Sequence, residues 1–148
     1  MRRVYAYLLK KRHIQRDVLN AFVHAGLIYE DEKYHNAVFV GKDEHGVARH
    51  AHKRSTHDTG KTFRINVEGS DPQCSFHWTG VSDRLYVFEG PIDLLSYVTL
   101  HPEDWRKHNY VACCGTSSLP VLWMLEYNPV LRDVYLCLDN DKAGHTAS

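Results

Sequence analysis

RLYVFEGPIDLLS, residues 84–96, decides how the chain is read. An apolar run rich in Val, Leu and Tyr describes a buried strand, and it stops on an acidic residue, Glu89. Gly90 makes the turn. Pro91 follows where a first helical residue tolerates proline, because its missing N–H would have had no partner there. DVYLCLDNDKA, residues 133–143, repeats the design: a short apolar run, then Asp139 and Asp141, then the start of a helix. In an open parallel sheet, ligands gather at the rim formed by the carboxyl ends of the strands. Glu89, Asp139 and Asp141 are therefore expected at one rim, an all-oxygen environment of the kind Mg²⁺ or Mn²⁺ takes.

Between these stretches the pattern alternates: strand 85–88, helix 91–100, strand 110–114, helix 118–126, strand 134–138, and a further helix from 142. Alternating strands and helices imply parallel pairing with right-handed crossovers. FEGPIDLLS, CCGTSS and LDNDKAGHTA, in that order, resemble the three signature stretches of the Toprim domain. Primases, topoisomerases, OLD-type nucleases and recombination mediators share that domain, and the resemblance is greatest to DnaG-type primases and their relatives on conjugative and mobile elements. It implies an α/β fold in which a Rossmann-like parallel Toprim sheet follows a small α+β part. A Toprim fold normally continues beyond this point, so its C-terminus is expected to be truncated here.

The resemblance also implies an activity: Mg²⁺-dependent nucleotidyl or phosphoryl transfer on DNA or RNA, expected single-stranded, with nucleoside triphosphates as possible substrates. In that reading Asp139, Asp141 and Asp93 hold the metal, and Glu89 moves a proton or completes the shell. A carboxylate crowded by others keeps its proton more readily, which suits proton transfer. The same cluster serves a Toprim nuclease with water as the attacking group, and a non-catalytic nucleic-acid-binding module would keep it as structure only. Such a fragment can also be inactive by itself. Plainer readings stand beside each residue. Either Asp139 or Asp141 could cap the following helix. Asp93, four residues after Glu89, could simply complement a helix dipole. Gly115 and Thr116 lie in a small-residue turn that could cradle a phosphate or merely precede an N-cap at Ser117 or Ser118. Gly90 would let a ligand approach the backbone or permit an unusual φ.

With 148 residues and 43% hydrophobic residues, the chain suffices for one domain or slightly more, with a real core. The expected parts are residues 1–80, a helical pair with antiparallel strands, and residues 81–148, the Toprim part. Formal net charge is zero, so contact with nucleic acid requires a local basic face. Cys74, Cys113, Cys114 and Cys137 form no C-x-x-C pair. They read as reduced, small hydrophobes in a cytoplasmic protein. No long apolar run predicts a membrane span. Composition leaves the oligomeric state open.

In the first part, residues 4–11 and 13–26 read as helices, the second closed by Gly26. Lys10, Lys11, Arg12 and Arg16 cluster near their junction, a solvated face unless it shares a side with the carboxylates. Residues 37–40 and 47–54 flank the turn DEHG, residues 43–46. A second turn at 58–60 leads to a strand over 61–67, and residues 74–78 could add another. FVGKDEHG, residues 39–46, resembles the hairpin ahead of the Toprim domain in DnaG-type primases. Lys53, Arg54, Lys61 and Arg64 after it are the candidates for nucleic-acid phosphates. His50, His52 and His57 are the densest histidine group; lacking a third placed ligand, they read as a solvated pair on an exposed hairpin rather than a metal site. Trp78, Trp105 and Trp123 read as packing residues.

Overall fold

The computed structural model describes residues 1–57, 62–115 and 117–138. A helix α1 (Arg2–Ala6) runs directly into a π-helical turn, Tyr7–Lys11, and α2 (Arg16–His24) follows. Gln15 opens α2 by accepting a hydrogen bond from the Val18 N–H at 3.2 Å. Gly26 closes it in the left-handed region at φ 74°. Leu27 N–H donates to the Phe22 carbonyl and Gly26 N–H to that of Val23, so the last turn is satisfied within the chain.

Four strands then make an antiparallel sheet in chain order: β1 (Ile28–Glu30), β2 (Ala37–Lys42), β3 (Ala48–Arg54) and β4 (Arg64–Asn66). The β2–β3 hairpin turns at residues 43–46, with Gly46 at φ 77°. Asp43 accepts from the N–H groups of His45 and Val47, and its side-chain bond from Arg49 holds its carboxyl down to about 2. The strand expected over 61–67 is shorter, and both the 58–60 turn and Lys61 lie outside the described residues.

The second sheet has the order β5-β7-β6-β8: β5 (His77–Trp78), β6 (Arg84–Phe88), β7 (Asn109–Ala112) and β8 (Asp133–Leu136). β6 pairs in parallel with β7 and β8, while β5 runs antiparallel to β7. Helix α3 (Pro91–Leu100) links β6 to β7, and α4 (Leu119–Tyr127) links β7 to β8. Residues 74–78, expected as a further strand of the first part, contribute only His77–Trp78, and these join the second sheet. Gly41 shows how closely the chain passes there. A Cβ on it would lie 1.8 Å from the Cys74 carbonyl oxygen, so only glycine fits beneath that segment.

One continuous core unites the two parts. Leu8, Val18, Phe22, Phe39 and Phe76 pack in the same cluster as Phe88, Leu94, Val98, Trp105 and Tyr110. On the opposite face of the second sheet, Leu85, Val87 and Val111 meet Met124 of α4. This is the two-residue alternation of a strand covered on both sides. Two expectations are corrected. β8, read as a buried strand, is exposed along its whole length, because it lies at the sheet edge with β6 as its one neighbour among the described residues. His50 and His52, read as solvated, are buried at 5% and 8% exposure, since β3 lies between β2 and β4.

Candidate site at the carboxyl rim of the second sheet

The rim is knit together by backbone hydrogen bonds. Cys113 N–H donates to the Phe88 carbonyl at 2.9 Å, Cys114 N–H to the Glu89 carbonyl at 2.8 Å, and Cys137 N–H to the Val87 carbonyl at 2.7 Å. The carboxyl ends of β6, β7 and β8 therefore meet, as a parallel register requires. Glu89 follows β6 directly and is half-buried. Burial pushes the Cys113 thiol up to about 11, and the Glu89 charge adds to that rise.

Gly90 is the N-cap of α3 in an extended conformation, with Pro91 as the first helical residue. Its φ of −134° suits any residue, so no backbone strain demands glycine. A Cβ there would meet only the Asp93 carboxylate, at 3.6 Å. Asp93 thus leans back over the helix start and stands in the first turn, where a negative charge favours the dipole. Gly115 is exposed with open space around it. Ser118 occupies the N-cap position of α4, and Ser117 Oγ accepts from Leu119 N–H at 3.1 Å. Asp139, Asp141 and Thr116 lie outside the described residues, as does the helix expected from 142.

A cavity of about 220 Å³ opens at the start of α3, between residues 90–93 and Arg12, His52, Arg54 and Arg64. The same three arginines line an adjoining groove of about 660 Å³ with Tyr7, Lys11, Ser55 and His57. Guanidinium groups from three separated segments are thus gathered beside the acid-bearing rim. Arg54 Nε donates to Tyr7 Oη at 3.0 Å, which orients it. Lys53, one residue earlier on β3, points to the other face and stands 3.9 Å from Asp31. Asn66 ties the two sheets: its Nδ2 donates to the Cys114 carbonyl at 3.0 Å, and its Oδ1 lies 2.7 Å from His52 Nδ1.

Arg12, Tyr7 and Asn66 are the residues here that sequence reading passed over as functional. Arg12 belonged to a cluster read as solvated, and nothing in its spacing points to Arg54 or Arg64. Among the described residues, no group of three or more His, Cys, Asp or Glu side chains could hold a metal, and no helix is long and apolar enough to cross a membrane.

The rim, the crossovers and the preceding antiparallel sheet define a Toprim-like protein with a primase-type fold. A Toprim-like family matches residues 86–148, and a family described as a protein of unknown function, DUF3991, matches residues 6–82. The chain belongs to the DUF3991 family, with the Toprim-like domain behind it. It is 29% identical to the uncharacterised protein pXO2-78 of Bacillus anthracis, over 96% of this chain and 44% of that protein. In fold it is similar to the primase fragment of the bacteriophage T7 primase-helicase protein, with a TM-score of 0.63 and 19% identity over 93% of this chain and 56% of that one. It is likewise similar to the DnaG primase catalytic domain bound to ssDNA, with a TM-score of 0.60 and 17% identity over 98% and 58%. The chain spans less than two thirds of each of these proteins.

Proposed function

We propose that this protein carries out Mg²⁺-dependent nucleotidyl transfer on nucleic acid in the manner of a primase, within the replication or transfer of a mobile element. The observation that carries this reading is the cavity shared by Arg12, Arg54 and Arg64 with residues 90–93 at the start of α3, directly after Glu89. Cations that attract phosphates and the Asp93 carboxylate, of a kind suited to a divalent ion, face one space. Likeness to a DnaG domain bound to ssDNA supports a single strand as the partner. The DUF3991–Toprim-like pairing and the pXO2-78 relative support the mobile-element setting. Four free cysteines fit a reducing cytoplasm.

In this reading Asp93, Asp139 and Asp141 hold Mg²⁺ or Mn²⁺ through oxygen alone, the donor chemistry that hard cations take. When bound, the ion supplies charge neutralisation at the transferring phosphoryl group. Glu89 accepts or returns a proton at its carboxylate. Gly90, bare of a side chain, leaves room for a ligand beside Asp93, and Gly115 borders the same rim, with Thr116 next to it in the chain. Arg54 and Arg64 hold phosphates of the strand or of an incoming nucleotide, with Arg12 beside them, and Lys61 extends the basic segment. Lys53, on the far face at Asp31, takes no part in that grip.

The test is calorimetric titration of Mg²⁺ and Mn²⁺ into the parent and into Asp139→Asn/Asp141→Asn. Both are then incubated with single-stranded DNA and nucleoside triphosphates. The expected result is divalent binding that the double variant loses, with strand extension by the parent alone. Cleavage in place of extension would make the protein a nuclease. Equal heats from both proteins, without product, would make it an accessory module.

A further inference from the structure

The reading above leaves one polar side chain of the cavity unused. His52 stands on β3 at 8% exposure, lining the space with the three arginines and residues 90–93. Its Nδ1 lies 2.7 Å from Asn66 Oδ1, while Asn66 Nδ2 donates to the Cys114 carbonyl. A carbonyl only accepts, so the Cys114 bond leaves the amide oxygen of Asn66 for the ring and makes His52 Nδ1 the protonated nitrogen. The lone pair then sits on Nε2. That nitrogen has no hydrogen-bond partner among the described residues, and it is not among their sealed, unpaired polar atoms, which comprise His50 Nδ1 alone. Burial lowers the His52 pKa from 6.5, and Arg64 and Arg54 lower it further against the bond to Asn66, which favours the neutral ring.

A neutral acceptor cannot hold a phosphate oxygen, which has no proton to offer near neutral pH. It requires a donor, and the guanidiniums beside it require an anion. Sugar phosphates carry both, since their hydroxyls are the donors nearest the phosphate. We propose that His52 is a specificity-determining residue that accepts a hydrogen bond from a sugar hydroxyl of a nucleotide whose phosphates lie against Arg54 and Arg64, with Asn66 as the residue that positions the ring. The inference rests on the nucleic-acid reading of this cavity and adds a sugar contact to it. It also gives the Asn66 bridge between the two sheets a purpose: the Cys114 loop at the rim and the sugar-reading ring share one amide.

The test is calorimetric binding of ATP, 2′-deoxy-ATP, 3′-deoxy-ATP and inosine triphosphate to the whole chain in Mg²⁺, with the fold of each variant checked by thermal melting. The parent is expected to prefer ATP over one deoxy analogue by about five-fold, the worth of one neutral hydrogen bond. His52→Asn keeps an amide N–H for Asn66 but removes the acceptor. It should erase that preference while leaving affinity for the deoxy analogue within about two-fold, because only one contact is lost. His52→Gln carries an amide oxygen near the Nε2 position and should recover part of the preference. Asn66→Ala should blunt it without weakening the deoxy analogue.

Equal affinity of the parent for ATP and both deoxy analogues would overturn the proposal, as would a preference that survives His52→Asn. Loss in His52→Asn of discrimination against inosine triphosphate alone would assign the donor to a base amine and overturn the sugar contact. Absence of nucleotide binding beside intact Mg²⁺ and single-strand binding would sink this inference and leave the wider reading standing. Absence of all three would sink both.

Discussion

β6 and β8 look alike in sequence and differ in the molecule. Each is a short apolar run ending in acid, yet four of the five β6 residues are buried and all four of β8 are exposed. β6 lies between β7 and β8, its faces covered by the shared core and by the α4 cluster. β8 meets only β6 among the described residues, and Tyr135 stacks on Tyr86 at 4.9 Å between ring centroids. Apolar content made both runs strands; position in the sheet decided which one was buried. Glu89 thus follows a strand clamped on both sides, while residues 139 and 141 follow an edge strand.

The largest test of this difference is Phe88→Ala. At 2% exposure in the core, its loss should cost about 3–5 kcal/mol in chemical denaturation, from lost transfer energy and the cavity left behind. A cost near that of a surface change would show that β6 is not the centre of the sheet. Gly41→Ala should come next, at about 1–3 kcal/mol or more, because the new methyl collides with backbone rather than with a side chain that can turn away.

Acid separates β3 and β5 from β6. Burial lowers the pKa of His77 on β5, and burial is likewise the largest cause lowering those of His50 and His52 on β3. Each binds its proton less readily when folded than the ordinary 6.5. Their contribution is therefore fully present above about 6.5 and is lost as pH falls below it, while the unfolded chain takes up protons. Hydrogen exchange at pH 7 and pH 5 should show β3 and β5 loosening in acid before β6 does. Loosening that begins only below pH 4 would assign acid sensitivity to carboxylates such as Glu30 instead. Burial alone would raise Glu30, but hydrogen bonds from Val4 and His35 outweigh it and hold it near 2.

Smaller effects sharpen the β6–β8 boundary. A double-mutant cycle of Tyr86→Leu and Tyr135→Leu should give a coupling of about 0.5–1.5 kcal/mol for the stacked rings. Leu136→Ala, at 45% exposure, should cost about 0.5 kcal/mol or less in the same denaturation assay. A cost of about 2 kcal/mol would mean that something covers β8 in solution, since only a buried leucine loses that much.

Local chemistry explains why so much of the second part was legible. Pro91 marks the start of α3, alternating apolar runs mark β6 and β7, and the acid after Phe88 marks the rim; α3 occupies the span that its pattern predicted. The hairpin at residues 43–46 and the stop at Gly26 are equally local signals. The basic side of the cavity is different. Arg12, Arg54 and Arg64 come from the end of the first helical segment, from β3 and from β4, and no periodicity relates them. His52 looked like a solvated residue because its burial depends on β4, a strand of three residues that sequence alone drew too long.

By itself, the sequence determined the elements, the order of the signature stretches and the identity of the acids at strand ends, because backbone sterics, apolar periodicity and turn chemistry act over a few residues. Only the tertiary structure decided that β5 joins the second sheet, that β8 takes its edge, that Lys53 turns away while Arg54 faces the cavity, and that Asn66 joins His52 to the Cys114 loop. Those outcomes depend on which surfaces meet when two sheets bury one common core, and that meeting is set by contacts between residues far apart in the chain.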